Sequence, residues 1–386
     1  MKLEGVKVLD LSLFLPGPML TLMMADHGAE VIKIEPAGEG EPTRHVGYRK
    51  GGESVWFRNT HRGKRSIQLS LKDPADHAIF MALAAEADVV VESFRPGVAL
   101  RLGVDYDAVR AVNPGVVYCA ISAFGQDGLY RDRPAHDVAV QALAGVVSLN
   151  EGQDGLPAMP AMPVADALGS LTALSGVLMA LLRKRETGQG DYLDVAMFDS
   201  VMAWTPNVTG RIFATGQAHV VKDERSWGGN AMYGLYRTAD QRWLALGGAE
   251  VKFARNLLTP LGREDLVRCA ELPPGPGQEP LRVFLRETFA SRTLAEWQTW
   301  FADKDVCWAP VRTLKDAFDD PALVEREMLA RDANGNEIVG TPIRFREEPA
   351  VIDPKVPTLD EHGADIRARL GCSAVGGRGL RDSGGR

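Results

Sequence analysis

The chain has 386 residues, 45% hydrophobic and 25% charged, the balance of a folded globular protein and not of a disordered or fibrous one. Its formal net charge of -7 argues against a duplex-DNA or anionic-membrane surface, because such partners select for accumulated Lys and Arg. Four cysteines, Cys119, Cys269, Cys307 and Cys372, fall in no CxxC or CxxH spacing, so neither a zinc site nor a disulfide framework is written and no metal is expected. The start lacks the pattern of a secretory signal and no run of about 18 apolar residues occurs, so no membrane partner and a cytoplasmic location are expected. At this length one core stops growing, and two lobes are expected.

In chain order, Val6 to Leu11 reads as a buried strand. Pro18 after Gly17 starts a helical pattern closed by Gly28, and Val31 to Ile34 is the next strand. This βαβ unit implies a parallel sheet. The alternation continues with strand Ile67 to Leu71, helix Pro74 to Ala87, strand Val89 to Val91, a helical stretch to Val112 and strand Val116 to Ile121. A doubly wound, Rossmann-like α/β lobe follows from that order. A long apolar helix after Asp166 is capped by Arg183 to Arg185 and stopped at Gly188, and a strand from Tyr192 to Ala196 completes a first lobe over 1–204.

The pattern lapses over 205–230, which reads as a linker. Short strands (Tyr233 to Arg237, Trp243 to Leu246) and helices (Phe253 to Leu261, Ala295 to Phe301) then predict a smaller α+β lobe over 231–325, with Pro273 to Gly277 as an internal loop. The Gly/Arg-rich tail 373–386 is expected to be disordered.

Ligands of an open parallel sheet bind beyond the carboxyl ends of its strands. The first such loop, Ser12 to Pro18, is no GxGxxG, which argues against a dinucleotide cofactor. Basic residues gather nearby: Arg62, Lys64, Arg65 and Lys72, then Arg95 and Arg101. They suit phosphates, or equally a solvated face. Asp166 and Glu250 each precede a helix and read locally as N-caps, and His136-Asp137 opens another helical pattern.

Val8-Leu-Asp-Leu with Gly17-Pro18, Gly28 to Glu35, Lys64-Arg-Ser66, Phe94-Arg-Pro-Gly97 with Leu102-Gly103, Asn113-Pro114, Phe124-Gly125, Ala165-Asp166 and Glu186 to Gly190 stand in this order along the chain. Together these segments resemble the family III CoA transferases, the CaiB/BaiF group that also contains the α-methylacyl-CoA racemases. The resemblance implies a large lobe made from both chain ends, with 326–372 returning to it, and an interlocked homodimer, or a heteromer with a related subunit. It implies acyl-CoA and a carboxylic acid as substrates, with no permanently bound cofactor.

The family's CoA contacts fall on Leu15, Pro16, Leu69, Lys72, Phe94, Arg95, Arg101 and Leu102, and its catalytic aspartate on Asp166. Ser93 departs from the usual Asn, and Leu129 from the usual Pro. The glycines of Gly228-Gly229 are candidate donors to an oxyanion. The racemase branch pairs a histidine with the aspartate and supports it with a glutamate, matching His136, Asp166 and Glu250. Met162 and the segment Ala167 to Ser170 depart from the racemase pattern. Three readings stay open: a transferase with Asp166 as nucleophile, a racemase using His136 and Asp166, and a CoA-binding subunit without turnover.

Overall fold

A computed structural model describes residues 1–152 and 154–371; the expected disordered tail and Cys372 lie outside them. The chain divides into two compact units. Of the described residues, the first holds 1–144, 162–204 and 321–371; the second holds those within 145–161 and 205–320.

The first unit is built on six strands: β1 (Lys7–Asp10), β2 (Glu30–Pro36), β3 (Arg65–Leu69), β4 (Val89–Glu92), β5 (Val117–Ser122) and β6 (Asp191–Ala196). All neighbours pair in parallel, in the order β3-β2-β1-β4-β5-β6. A doubly wound sheet is covered on both faces, so its central strands read as unbroken apolar runs. Val89, Val90 and Val91 of β4 and Val117 to Ile121 of β5 are all buried accordingly. The principal helices are α1 (Pro16–Asp26), α2 (Pro74–Ala84), α3 (Asp137–Leu143) and α4 (Val164–Thr187).

The helical stretch expected to run to Val112 is two helices, Val98–Leu102 and Tyr106–Val112. Gly103 separates them with φ +68, a conformation that ends the first helix. The chain end covers the open edge of β3: the N–H groups of Ser66 and Gln68 donate to His362 Nδ1 at 3.1 Å and to Asp360 Oδ1 at 2.8 Å. An uncovered edge strand would invite pairing with another chain.

Helix α4 stops at Gly188, φ +72, as expected, but starts at Val164 with Pro163 at the cap position. Asp166 therefore sits inside the first turn and is not the N-cap. Although Ser, Thr and Gly interrupt its apolar residues, α4 is the helix among the described residues long and apolar enough to cross a membrane, with a mean hydropathy of 1.7 over its best window. One face, with Ala165, Gly169, Ala173 and Val177, is buried, while Leu171, Leu178, Met179 and Leu182 are 40–66% exposed.

The second unit carries an antiparallel sheet of β7 (Tyr233–Arg237), β8 (Trp243–Gly247) and β9 (Trp308–Pro310), with β8 central. Helices α5 (Val251–Leu258), α6 (Glu279–Phe289) and α7 (Leu294–Phe301) pack around fully buried Phe289 and Trp297. The Trp297 indole N–H donates to Phe289 O at 3.0 Å, so the largest core side chain buries no unpaired donor. Thr293 and Glu296 form a reciprocal capping box at α7.

Candidate active site

The strand order reverses between β1 and β4, which are neighbours in space, and such a reversal leaves a crevice at the carboxyl ends of the two strands. The loops leaving β1 and β4 meet there: Leu13 N–H donates to Ser93 Oγ at 2.8 Å. Helix α1 comes so close behind the first loop that a Cβ at Gly17 would lie 2.1 Å from Ser12 Oγ. With Pro16 and Pro18 in its first turn, α1 lacks two of the N–H groups from which a helix start makes a phosphate cradle.

Buried charges fix the first loop. Asp10 Oδ1 accepts from Ser12 N–H at 3.0 Å, Asp10 also meets Lys33 at 3.3 Å and Lys64 at 3.0 Å, and Lys33 donates to Ser12 O. Burial opposes ionisation of Asp10, but Lys33, Lys64 and His61 outweigh it and hold the carboxyl far below the usual range. Burial, and then Lys33, bring Lys64 down to about 8 despite Asp10. Beyond this network Phe14 adopts φ +64, a left-handed conformation that costs an aromatic residue about 1–3 kcal/mol and persists only where surroundings enforce it.

The crevice opens as a cleft of about 530 Å³ whose lining includes Pro16, Phe94, Arg95, Arg101, His136 and Asp166. Arg95 and Arg101 are exposed and have no carboxylate partner among the described residues. Gly97 has φ +81, and a Cβ there would come within 3.3 Å of Arg101 Nη1 and 3.5 Å of Arg131 Nη2. Two guanidinium groups thus converge above this glycine, a geometry suited to phosphate oxygens. Arg131 is itself held by Gln126 O and Asp132, each at 2.8 Å. Beneath the second loop, burial and then Asp194 push the Glu92 carboxyl up to about 8, although it accepts Phe94 N–H at 2.6 Å.

His136 occupies the cap position of α3 without a capping bond from its side chain, and the edge of its ring meets Phe14 at 5.9 Å. The next residue joins two helices: Asp137 Oδ1 accepts from the N–H groups of Ala165 at 2.8 Å and Asp166 at 3.2 Å. Its Oδ2 accepts from Gln141 at 2.6 Å. Asp137 thereby supplies the capping bonds that Pro163 cannot, and sets the first turn of α4 beside His136. Burial, and then the Asp137 charge, push the Asp166 carboxyl up to about 7. The cleft thus brings together a carboxyl whose pKa is raised to about 7 and an imidazole.

Other expected site residues are not among those lining the cleft. Leu69 is buried in the core at the end of β3, Leu102 packs against that same core, and Leu15 stands at the start of α1. Lys72 is exposed outside the cleft lining. Arg62, Lys64 and Arg65 do not form a phosphate site. They precede β3 or begin it, and they are spent on Asp26, Asp10 and Glu30 respectively. Glu250 belongs to the second unit, exposed at the start of α5, and its side chain makes no capping bond. Gly229 N–H is committed to Glu224 O at 3.0 Å and is not a free oxyanion donor. A larger cavity of the second unit, about 920 Å³, is lined by Arg282 and Arg286, but both are paired with Glu279.

Sequence reasoning assigned no role to Asp137, Arg131, Ser93 as a loop tie, or Glu41, which accepts Phe14 N–H at 2.9 Å. Asp137 carried a signal, as an acidic residue opening a helix beside a candidate histidine.

Residues 3–363 match the family described as CoA-transferase family III. The chain is 32% identical to acetyl-CoA:oxalate CoA-transferase of Acetobacter aceti, covering 94% of each. It is 30% identical to succinyl-CoA--D-citramalate CoA-transferase of Chloroflexus aurantiacus, covering 94% of this chain and 92% of that one. A solved CAIB/BAIF family protein from Brucella suis superposes with a TM-score of 0.83 at 30% identity, over 95% of this chain and 99% of that one.

Proposed function

Because the chain belongs to CoA-transferase family III, we propose that it moves CoA from an acyl-CoA to a free carboxylic acid through a covalent intermediate on Asp166. The observation that carries this reading is the placement of Asp166, with its pKa raised to about 7 by burial and Asp137, on the same cleft as Arg95 and Arg101, which have no carboxylate partner among the described residues. A nucleophilic carboxylate gains reactivity when it is poorly solvated yet still ionised at working pH.

The Asp166 carboxylate attacks the thioester carbonyl, the C–S bond breaks, and a mixed anhydride and CoA thiolate result. The thiolate attacks the aspartyl carbonyl and releases the donor acid, leaving an aspartyl-CoA thioester. The acceptor carboxylate attacks that thioester to form a second anhydride. Thiolate attack on its acyl carbonyl frees Asp166 and the new acyl-CoA. No oxidant or metal is needed for the balance. Arg95 and Arg101 hold CoA phosphates, and His136 is a nearby polar group for the reacting carboxylates. Two of the relatives are named for oxalate and citramalate, both dicarboxylic acids, so short dicarboxylates head the list of acceptors.

The exposed apolar face of α4 supports an assembled state, an interlocked homodimer or a pairing with a related chain. A cytoplasmic location and the absence of a resident cofactor belong to the same reading.

A racemase is the second reading, because His136 and Asp166 line one cleft and two bases flanking an acidic C–H exchange its proton with solvent. A 2-methylacyl-CoA in heavy water separates the two. The transferase reading expects no deuterium at the α-carbon without an acceptor acid, and CoA movement once an acid is added. Rapid uptake that depends on both His136 and Asp166, with no need of an acid, overturns it.

A further inference from the structure

We propose that Glu41, outside the cleft and buried, is a positioning residue for the reaction: it holds the strained Phe14 in the backbone conformation that sets the Phe14 ring against His136. The inference rests on the transferase reading only through the role of His136 in the cleft.

Three consecutive residues of the loop after β1 have a backbone group taken by a side chain. Ser12 N–H is bound by Asp10 and Ser12 O by Lys33, Leu13 N–H is bound by Ser93, and Phe14 N–H is bound by Glu41 Oε1 at 2.9 Å. Phe14 is where the loop turns left-handed, at φ +64. A non-glycine residue in that region reverts to a relaxed conformation unless something outside the loop enforces it. Glu41 is suited to do so. It is fully buried, its Oε1 also takes the Thr43 hydroxyl at 3.2 Å, its own N–H is bound by Glu35 Oε2 at 2.9 Å, and Lys33 lies 3.7 Å from Oε2.

Lys33 is the common member, because it meets Asp10, Glu41 and Ser12 O together. The strands therefore deliver their buried charge to one loop. What this accomplishes is visible at the loop's tip: Phe14 is 37% exposed, too exposed to be explained by core packing, and its ring meets the His136 ring nearly at right angles, 83°, at 5.9 Å. His136 is itself exposed and its side chain makes no capping bond, and Phe14 is its ring contact among the described residues.

The test combines a reactivity readout, which needs no substrate, with kinetics. Glu41→Ala, Glu41→Gln, Phe14→Leu and the double variant Glu41→Ala/Phe14→Leu are treated with diethyl pyrocarbonate, and acylation at His136 is followed by peptide mass. Phe14→Leu removes the ring from an exposed position and keeps the fold testable if Glu41→Ala does not fold. The expected result is a several-fold change in the His136 acylation rate in Phe14→Leu and Glu41→Ala, no larger in the double variant, with recovery in Glu41→Gln, which keeps an acceptor for Phe14 N–H. Using acetyl-CoA and oxalate, kcat falls roughly tenfold in Glu41→Ala while KM for acetyl-CoA stays within about twofold, the split expected of lost positioning. His136 acylation unchanged in Phe14→Leu, or effects that multiply in the double variant, overturn the proposal. Absence of transfer by the wild-type protein speaks against the transferase reading and leaves the acylation result to decide this one.

Discussion

Asp137 accepts the backbone N–H of Asp166 at 3.2 Å and at the same time raises its pKa, so one carboxylate both orients its neighbour and opposes its ionisation. The bond and the repulsion have different consequences and can be separated by substitution.

Asp137→Asn keeps an oxygen for the Ala165 and Asp166 N–H groups and removes the like charge. With the Asp166 carboxylate as the proposed nucleophile, wild-type transfer is expected to rise with pH as Asp166 ionises through about 7. In Asp137→Asn the rising limb moves to lower pH, as the charge contribution disappears and only burial remains. A pH profile of kcat for both proteins, taken with the same substrates, checks the direction.

The raised pKa also has a sign for stability. A carboxyl whose folded pKa lies above its unfolded value of about 3.9 destabilises the protein as pH rises from that value, with the full penalty above about 7. Asp166→Asn therefore stabilises the protein at pH 8 by about 1–2 kcal/mol, the full conversion being discounted for partial exposure, and by little near pH 4. Thermal melts at the two pH values measure this, and the same variant loses transfer activity.

Arg95→Ala and Arg101→Ala are each expected to raise KM for the acyl-CoA by roughly 10–100-fold with smaller effects on kcat, since each removes a proposed charge-assisted contact to phosphate. Gly97→Ala acts in the same direction through Arg101 and Arg131, whose guanidinium groups a Cβ there would meet at 3.3 and 3.5 Å. Steady-state kinetics with acyl-CoA varied distinguish these from an Asp166 variant, which loses kcat.

Arg62 behaves differently although it belongs to the same basic run. Its guanidinium is buried in a two-pronged pair with Asp26 and also donates to Val339 O at 3.0 Å. Arg62→Ala costs about 3–5 kcal/mol, because Asp26 is left buried and unpaired, whereas Lys72→Ala, at an exposed position, changes stability little. Urea denaturation of the two variants provides the comparison.

That contrast marks where the sequence was legible. The alternation of apolar runs with helical patterns fixes the doubly wound sheet, since strands buried on both faces leave long Val- and Ile-rich segments such as Val89 to Val91. It also pointed to the strand-end loops as ligand-lining, the first of them Ser12 to Pro18, because strand ends follow from strand positions. What spacing could not convey is which charges pair inside. Arg62 and Lys64 look like Arg95 and Arg101 until Asp26 and Asp10, distant in sequence, are brought against them. Asp166 was legible as a helix-start carboxylate but misplaced as the cap, because Pro163 and Asp137 share that role across two helices. Glu41 was silent for the same reason: its partner Phe14 lies 27 residues away.

Peptide mass spectrometry can detect the proposed covalent intermediate on Asp166. The protein is incubated with succinyl-CoA or acetyl-CoA without an acceptor, treated with borohydride or hydroxylamine, digested and sequenced by mass. The peptide carrying Asp166 is expected to be modified at that residue, dependent on the acyl-CoA and absent in Asp166→Asn. An unmodified Asp166 in protein that transfers CoA in parallel, or a label on another residue, contradicts it.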